Sequence, residues 1–190
     1  MSDIIDAEGF RANVGIILMR GDGRVFLGRR TGGRGWQFPQ GGMRAGEADE
    51  QSVFRELHEE VGLTADQVML VGHTGEWMRY RLPARYVRRR SHPLCIGQKQ
   101  RWFLLALKQD DVHFELTTTT EPEFDEWRWV GYWEPAREVI EFKRPVYVQA
   151  LTELAPLAMA RGAPPAPNWF CELADSGTES ASGGSAAAGE

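Results

Sequence analysis

The hydrophobic pattern changes period several times along the chain. Residues 12–19 form a nearly unbroken apolar run and residues 24–28 a second, shorter one; the glycines between them, Gly21 and Gly23, predict a β-hairpin. Residues 36–39 read as a short extended piece, because Pro39 biases Phe38 away from helical geometry. From residue 48 the period lengthens to that of a helix. Val53, Phe54, Leu57 and Val61 recur on one face, Asp49 and Glu50 supply negative charge to the first turn, and Gly62 follows as a stop. Residues 68–72, 75–80, 100–107 and 126–130 return to strand character. Residues 135–139 and 144–154 read as helices, with Pro145 near the start of the second, where proline is tolerated. Helices flanking a mixed sheet predict one α/β domain over residues 6–155.

Composition alters this picture only near the end. From Arg161 the chain is rich in Pro, Gly, Ala and Ser, which predicts a disordered, low-complexity tail over residues 161–190, with Trp169 and Phe170 as an apolar island. A hydrophobic content of 42% in 190 residues suffices for one substantial core. No segment reaches the length needed to span a membrane, and no basic region followed by an apolar run opens the chain, so a cytoplasmic location is expected. Cys95 and Cys171 lie far apart without metal-ligand spacing, which predicts reduced, non-catalytic thiols.

The formal net charge is −5, but the charge is unevenly spread. Residues 77–107 contain no acid, while Arg79, Arg81, Arg85, Arg88, Arg89, Arg90, Lys99 and Arg101 alternate with Trp77, Tyr80, Tyr86 and Trp102. Basic residues interleaved with aromatics suit a phosphate chain that carries stackable bases. A solvated basic loop beside core aromatics is the competing reading, evenly balanced with the first for Arg88, Arg89 and Arg90.

The candidate chemistry lies on the helix that begins near residue 48. Glu56, Glu59 and Glu60 stand at i, i+3 and i+4, so their carboxylates share a face, and like charges at that spacing call for a cation. Oxygen-only ligands suit a hard divalent ion such as Mg²⁺, with Mn²⁺ an alternative. Arg55, four residues before Glu59, is placed to orient it. A solvated acidic face would explain the glutamates alone. It leaves unexplained Gly41 and Gly42, read as a turn through which the chain approaches a metal or phosphate closely, and Gly62.

Gly41, Glu47, Arg55, Glu56, Leu57, Glu59, Glu60, Gly62 and Leu63 fit the frame G-x5-E-x7-R-E-U-x-E-E-x-G-U, with U aliphatic. A chance match is on the order of 10⁻⁹ per starting position. The frame resembles the signature of the Nudix hydrolases, which cleave a diphosphate linked to another group. The segments GFRANVGIIL, GWQFPQGG, CIGQKQRWFLL, PEFDEWRWV and EFKRPVY extend the likeness over roughly residues 6–155, toward the bacterial branch of RNA 5′-pyrophosphohydrolases, also described as dinucleoside polyphosphate hydrolases.

That resemblance implies an α/β/α sandwich with a mixed sheet and a metal-dependent hydrolase of phosphoric anhydrides. It implies metal ligation by Glu56, Glu59, Glu60 and Glu123, with the carbonyl of Gly41, and substrate contacts from Arg30, Tyr80, Phe142 and Lys143. The expected substrate is 5′-triphosphorylated RNA, whose trimming to a monophosphate promotes decay. A nucleoside polyphosphate such as diadenosine tetraphosphate is the alternative, and a non-catalytic RNA-binding module a remote one. Attack by water requires a carboxylate to take the proton, and Glu56 and Glu123 both qualify.

Overall fold

Strand β1 (Phe10–Met19) is buried along almost its whole length, as a strand covered on both faces must be. Its apolar side chains divide between two cores: Ile17 and Met19 join one, and Ala12, Val14, Ile16 and Leu18 the other. The computed structural model describes residues 4–33, 35–87 and 92–182. In it β1 runs parallel to β7 (Gly97–Leu107), in register from Phe10↔Gly97 to Met19↔Ala106. All other pairings are antiparallel. β7 also carries β5 (Val68–His73) and β6 (Met78–Arg81), while β2 (Val25–Arg30) carries β3 (Trp36–Gln37) and β8 (Phe124–Val130). β1 and β2 pair at Met19↔Val25, next to their turn, and further along β1 pairs instead with β4 (Gln40–Gly42). The result is an eight-stranded mixed sheet.

Helix α1 (Asp49–Val61) lays Val53, Leu57 and Val61 on one face of the sheet, against Val14, Ile16, Leu18 and Phe103. On the other face α3 (Arg144–Met159) packs Tyr147, Ala150, Leu151 and Leu154 against Ile17, Leu27, Trp102 and Leu104, with the short α2 (Pro135–Glu138) beside it. Burying a side chain such as Leu57 contributes about 1.5–3 kcal/mol. The architecture is the expected α/β/α sandwich. Among the described residues no helix is long and apolar enough to cross a membrane.

One aromatic stack fixes the segment that leads into the site. The Phe38 ring lies 5.2 Å from that of Tyr147, nearly parallel to it, and the Phe38 backbone N–H donates to the Tyr147 hydroxyl at 3.0 Å. Residues 36–42 are therefore pinned to α3 on one side and to β1 and β2 on the other.

Three expectations change. Gly41 and Gly42 are not in a turn: they form β4, because the diverging β1–β2 pair leaves an edge of β1 that accepts a strand. The strand expected over residues 75–80 starts only at Met78. The tail expected to be disordered contains α4 (Asn168–Ser182). Phe170 is buried there, its ring 4.4 Å from that of Trp133; the Trp133 indole N–H donates to the Pro164 carbonyl at 2.9 Å, and Arg137 stacks on Trp169. Low-complexity composition concealed an aromatic anchor that the domain surface receives.

Candidate active site

A cavity of about 850 Å³ gathers most of the candidate residues. α1 contributes Glu56 and Glu60, the β4 segment contributes Gln40, Gly41 and Gly42, and Glu123 stands just before β8. Arg30, Tyr80, Phe142 and Lys143 complete the opposite wall. Glu59 is the exception. Its side chain is 34% exposed outside that lining, held by Arg44 at 3.0 Å and Arg55 at 3.3 Å.

The glutamates owe their positions to the helix and to the strand beside it. Glu56 and Glu60 are one turn apart and both about nine-tenths buried. A Cβ on Gly41 would overlap the Glu56 carboxyl group, so only glycine leaves that carboxyl group where it stands against β4. The Gln40 backbone N–H donates to Glu60 Oε2 at 3.0 Å. Burial pushes the Glu60 carboxyl well above the usual carboxylate range, with the nearby charges of Glu56 and Glu123 adding to it. Glu56 is raised too, chiefly by burial and against the opposing pull of Arg55.

Arg55 does more than orient Glu59. Its Nε and Nη2 clasp both oxygens of Glu47 at 2.7 and 2.8 Å, Nη2 also donates to the Gly42 carbonyl at 2.8 Å, and Nη1 reaches Glu56 and Glu59. Glu47 further accepts from the Ser52 hydroxyl at 2.7 Å and the Arg44 backbone N–H at 3.0 Å. The Arg55 hydrogen bond, foremost among these contacts, lowers the Glu47 carboxyl to about 2. Glu47 is thus the brace of the motif, joining the approach loop to the helix.

On the facing wall Glu123 accepts from Arg30 Nε at 2.9 Å and from Gln37 Nε2 at 3.3 Å. Lys143 donates to Gln37 Oε1 at 3.0 Å; burial, reinforced by Arg30, lowers its ammonium to about 8. The Phe142 ring lies 5.8 Å from Tyr80 and 5.4 Å from Tyr86, forming an aromatic wall, and the Tyr80 hydroxyl donates to Gln98. Gln37, Gln40, Asn13 and Arg11 line the cavity without having been singled out from sequence. The one local signal for Gln37 was its place as a polar residue in the extended piece GWQFPQGG beside the glycines of the motif.

The acid-free stretch proves not to be one continuous phosphate track. Lys99 pairs with Asp6 at 2.9 Å, Arg101 with Asp49 at 2.6 Å, and Arg79 with Glu8, while Arg81 lies over the Phe10 ring. Trp77 lies under Lys99 and Arg101, and Trp102 is in the core. Strand alternation divides this segment: Tyr80 and Gln98 face the cavity, whereas their neighbours meet acids from distant parts of the chain. Arg85 and Tyr86 line the cavity. Arg88, Arg89 and Arg90 lie outside the described residues.

The donor set fits a hard divalent cation. Two buried carboxylates with raised proton affinity face a third across one cavity, and every candidate ligand is oxygen. The carboxylates are held by Arg55, Gln40, Arg30 and Gln37, and among the described residues no three acidic, His or Cys side chains form a ready-made metal cluster.

Comparisons with known proteins agree with this geometry. The chain is 56% identical over 156 residues to the RNA pyrophosphohydrolase of Pseudoalteromonas translucida (strain TAC 125), covering 82% of this chain and 91% of that one. It is 54% identical over 163 residues to the RNA pyrophosphohydrolase of Xanthomonas axonopodis pv. citri (strain 306), covering 86% and 80%. The fold resembles the E. coli dihydroneopterin triphosphate pyrophosphohydrolase, with a TM-score of 0.60 and 21% identity over 74% of this chain and 94% of that one. A C. elegans Ap4A hydrolase gives a TM-score of 0.59 at 17% identity, covering 78% and 98%. Residues 9–150 match the NUDIX domain, and the chain belongs to that family.

Proposed function

We propose that this protein removes pyrophosphate from the 5′ triphosphate end of RNA and leaves a 5′ monophosphate, in the cytoplasm, as a step toward RNA decay. One observation carries the reading: a single cavity joins the carboxylates of Glu56, Glu60 and Glu123 to the cation of Lys143 and the rings of Tyr80 and Phe142. An acidic floor beside a cationic, aromatic wall suits a polyphosphate that ends in a base, because rings and guanidinium planes stack splayed bases. The relatives named RNA pyrophosphohydrolase, at above half identity over most of the chain, support the RNA end.

Glu56, Glu60 and Glu123 would hold Mg²⁺ or a similar divalent cation, with Glu59 from outside the cavity lining and the Gly41 carbonyl. When bound, such a cation neutralises polyphosphate charge and lowers the pKa of its water. The remaining work falls to the protein. Arg55 braces Glu56 against Glu47 and so fixes its direction. Lys143 offers its ammonium to a phosphate oxygen, and Phe142 with Tyr80 excludes water and receives a base. Glu56 and Glu123 both line the cavity, and either carboxylate is placed to accept the proton of the attacking water.

Dinucleoside polyphosphate cleavage is the second reading. It gains weight because four bases expected to track a long phosphate chain are engaged elsewhere. Turnover of 5′-triphosphorylated RNA and of diadenosine tetraphosphate, each with Mg²⁺ and with chelator, separates the two. Higher kcat/KM on RNA with metal is expected, and higher kcat/KM on the dinucleotide would reverse the assignment. No turnover of either would favour a binding module.

A further inference from the structure

We infer that Gln37 is a positioning residue: its amide wedges Lys143 away from Glu123, keeping the two opposite charges separately usable in the cavity. The inference rests on the reading of Glu123 as a metal ligand and of Lys143 as a phosphate contact.

Gln37 is 3% exposed and lies between the two groups. Its Oε1 accepts from Lys143 Nζ at 3.0 Å and its Nε2 donates to Glu123 Oε1 at 3.3 Å. Those partners leave the amide one orientation, since an ammonium only donates and a carboxylate accepts. Arg30 Nε also donates to Glu123 Oε1, at 2.9 Å. Among the described residues both side-chain donors to Glu123 therefore converge on one oxygen, which leaves Oε2 for a ligand. The ammonium likewise spends one donor on Gln37 and keeps others for an anion.

The backbone fixes the wedge. Gln37 pairs with Gly28 across β2 and β3, and the next residue, Phe38, is stacked on and hydrogen bonded to Tyr147. Lys143 is buried while Glu123 is about one-third exposed and paired with Arg30, so with nothing between them the ammonium gains most by pairing directly with the carboxylate, which offsets its desolvation. Such a pair would take Glu123 from a metal and Lys143 from a phosphate together. An apolar side chain in place of the amide permits that collapse; removing the Lys143 charge prevents it.

The test is Mn²⁺ binding, followed by paramagnetic resonance, to the full-length protein and to Gln37→Met, Lys143→Met and the double variant, with melting temperatures alongside. Gln37→Met should weaken Mn²⁺ about tenfold without lowering the melting temperature by more than a few degrees, and in the Lys143→Met background the same change should cost less than about threefold. Unchanged Mn²⁺ affinity in Gln37→Met, or an equal loss in both backgrounds, would overturn the inference. Pyrophosphate release from triphosphorylated RNA is measured on the same four proteins, with the same non-additivity expected in kcat/KM. An inactive unsubstituted protein would count against the proposed substrate, while the metal titration would still decide the role of Gln37.

Discussion

The carboxyl group of Glu56 occupies the space that a Cβ on Gly41 would need. This packing brings β4 close enough to α1 for Gly41 and the buried Glu56 carboxylate to line one cavity. Gly41→Ala should therefore displace Glu56 with little effect on the fold, because a flexible side chain gives way before backbone does. A fall in kcat of about 100-fold with a near-normal melting temperature is expected. Activity within a few-fold of normal would show that Glu56 need not sit where it does.

Glu60 is buried beside two other carboxylates, so its charge opposes folding when no cation is present. Glu60→Gln keeps an acceptor for the Gln40 N–H and removes the charge. In chelator the variant should melt several degrees higher, by roughly 1–3 kcal/mol, yet turn over at a small fraction of the normal rate. With excess Mg²⁺ the advantage should shrink or reverse, since the cation stabilises only the protein that binds it. A destabilised, active variant would remove Glu60 from the site.

Glu47 tests the brace through pH. Its folded pKa, about 2, lies below the ordinary carboxylate value of 4.5, so its ion pair with Arg55 contributes stability that is complete above the unfolded pKa. That contribution is lost as pH falls from about 4.5 toward about 2, where the folded carboxyl also protonates. Glu47→Gln should lower the melting temperature at pH 7, and the gap to the unsubstituted protein should narrow steadily as pH falls from about 4.5 toward about 2. A gap independent of pH would mean that Glu47 stabilises by packing rather than by charge.

Much of this site is legible in sequence because one helix carries it. The spacing of Glu56 and Glu60 places both carboxylates at one cavity, though the same spacing did not place Glu59 there, and the frame from Gly41 to Leu63 leaves little room for coincidence. What pattern cannot convey is which distant partner each side chain meets. Arg79, Lys99 and Arg101 belong to a segment without acids, yet Glu8, Asp6 and Asp49 reach them from elsewhere in the fold. Arg30, expected to face substrate, is paired with Glu123, and Glu59 lies outside the cavity lining, held by Arg44 and Arg55, although its helical spacing resembles that of Glu60. The place of Gln37 beside the glycines of the motif was a local signal, but its two partners lie at residues 123 and 143, beyond any local window.

The C-terminal segment departs from its composition for a related reason, since proline and alanine content says nothing of a receiving surface. Phe170 is buried against Trp133, and its truncation leaves a cavity. Phe170→Ala should cost about 3 kcal/mol, read as a lower denaturant midpoint with an unchanged slope. Activity at temperatures well below the transition should be unaffected, because Trp133 and Phe170 stand apart from the residues lining the catalytic cavity. A variant as stable as the original would mean that α4 is not docked in solution.

The most direct test of the whole reading is the identity of the product released from RNA labelled in its β and γ phosphates. With Mg²⁺ present the label should leave as intact pyrophosphate, from an RNA that keeps a 5′ monophosphate, and Glu56→Gln should abolish the release. Label leaving as single orthophosphates, or remaining on RNA while diadenosine tetraphosphate is cleaved, would contradict it.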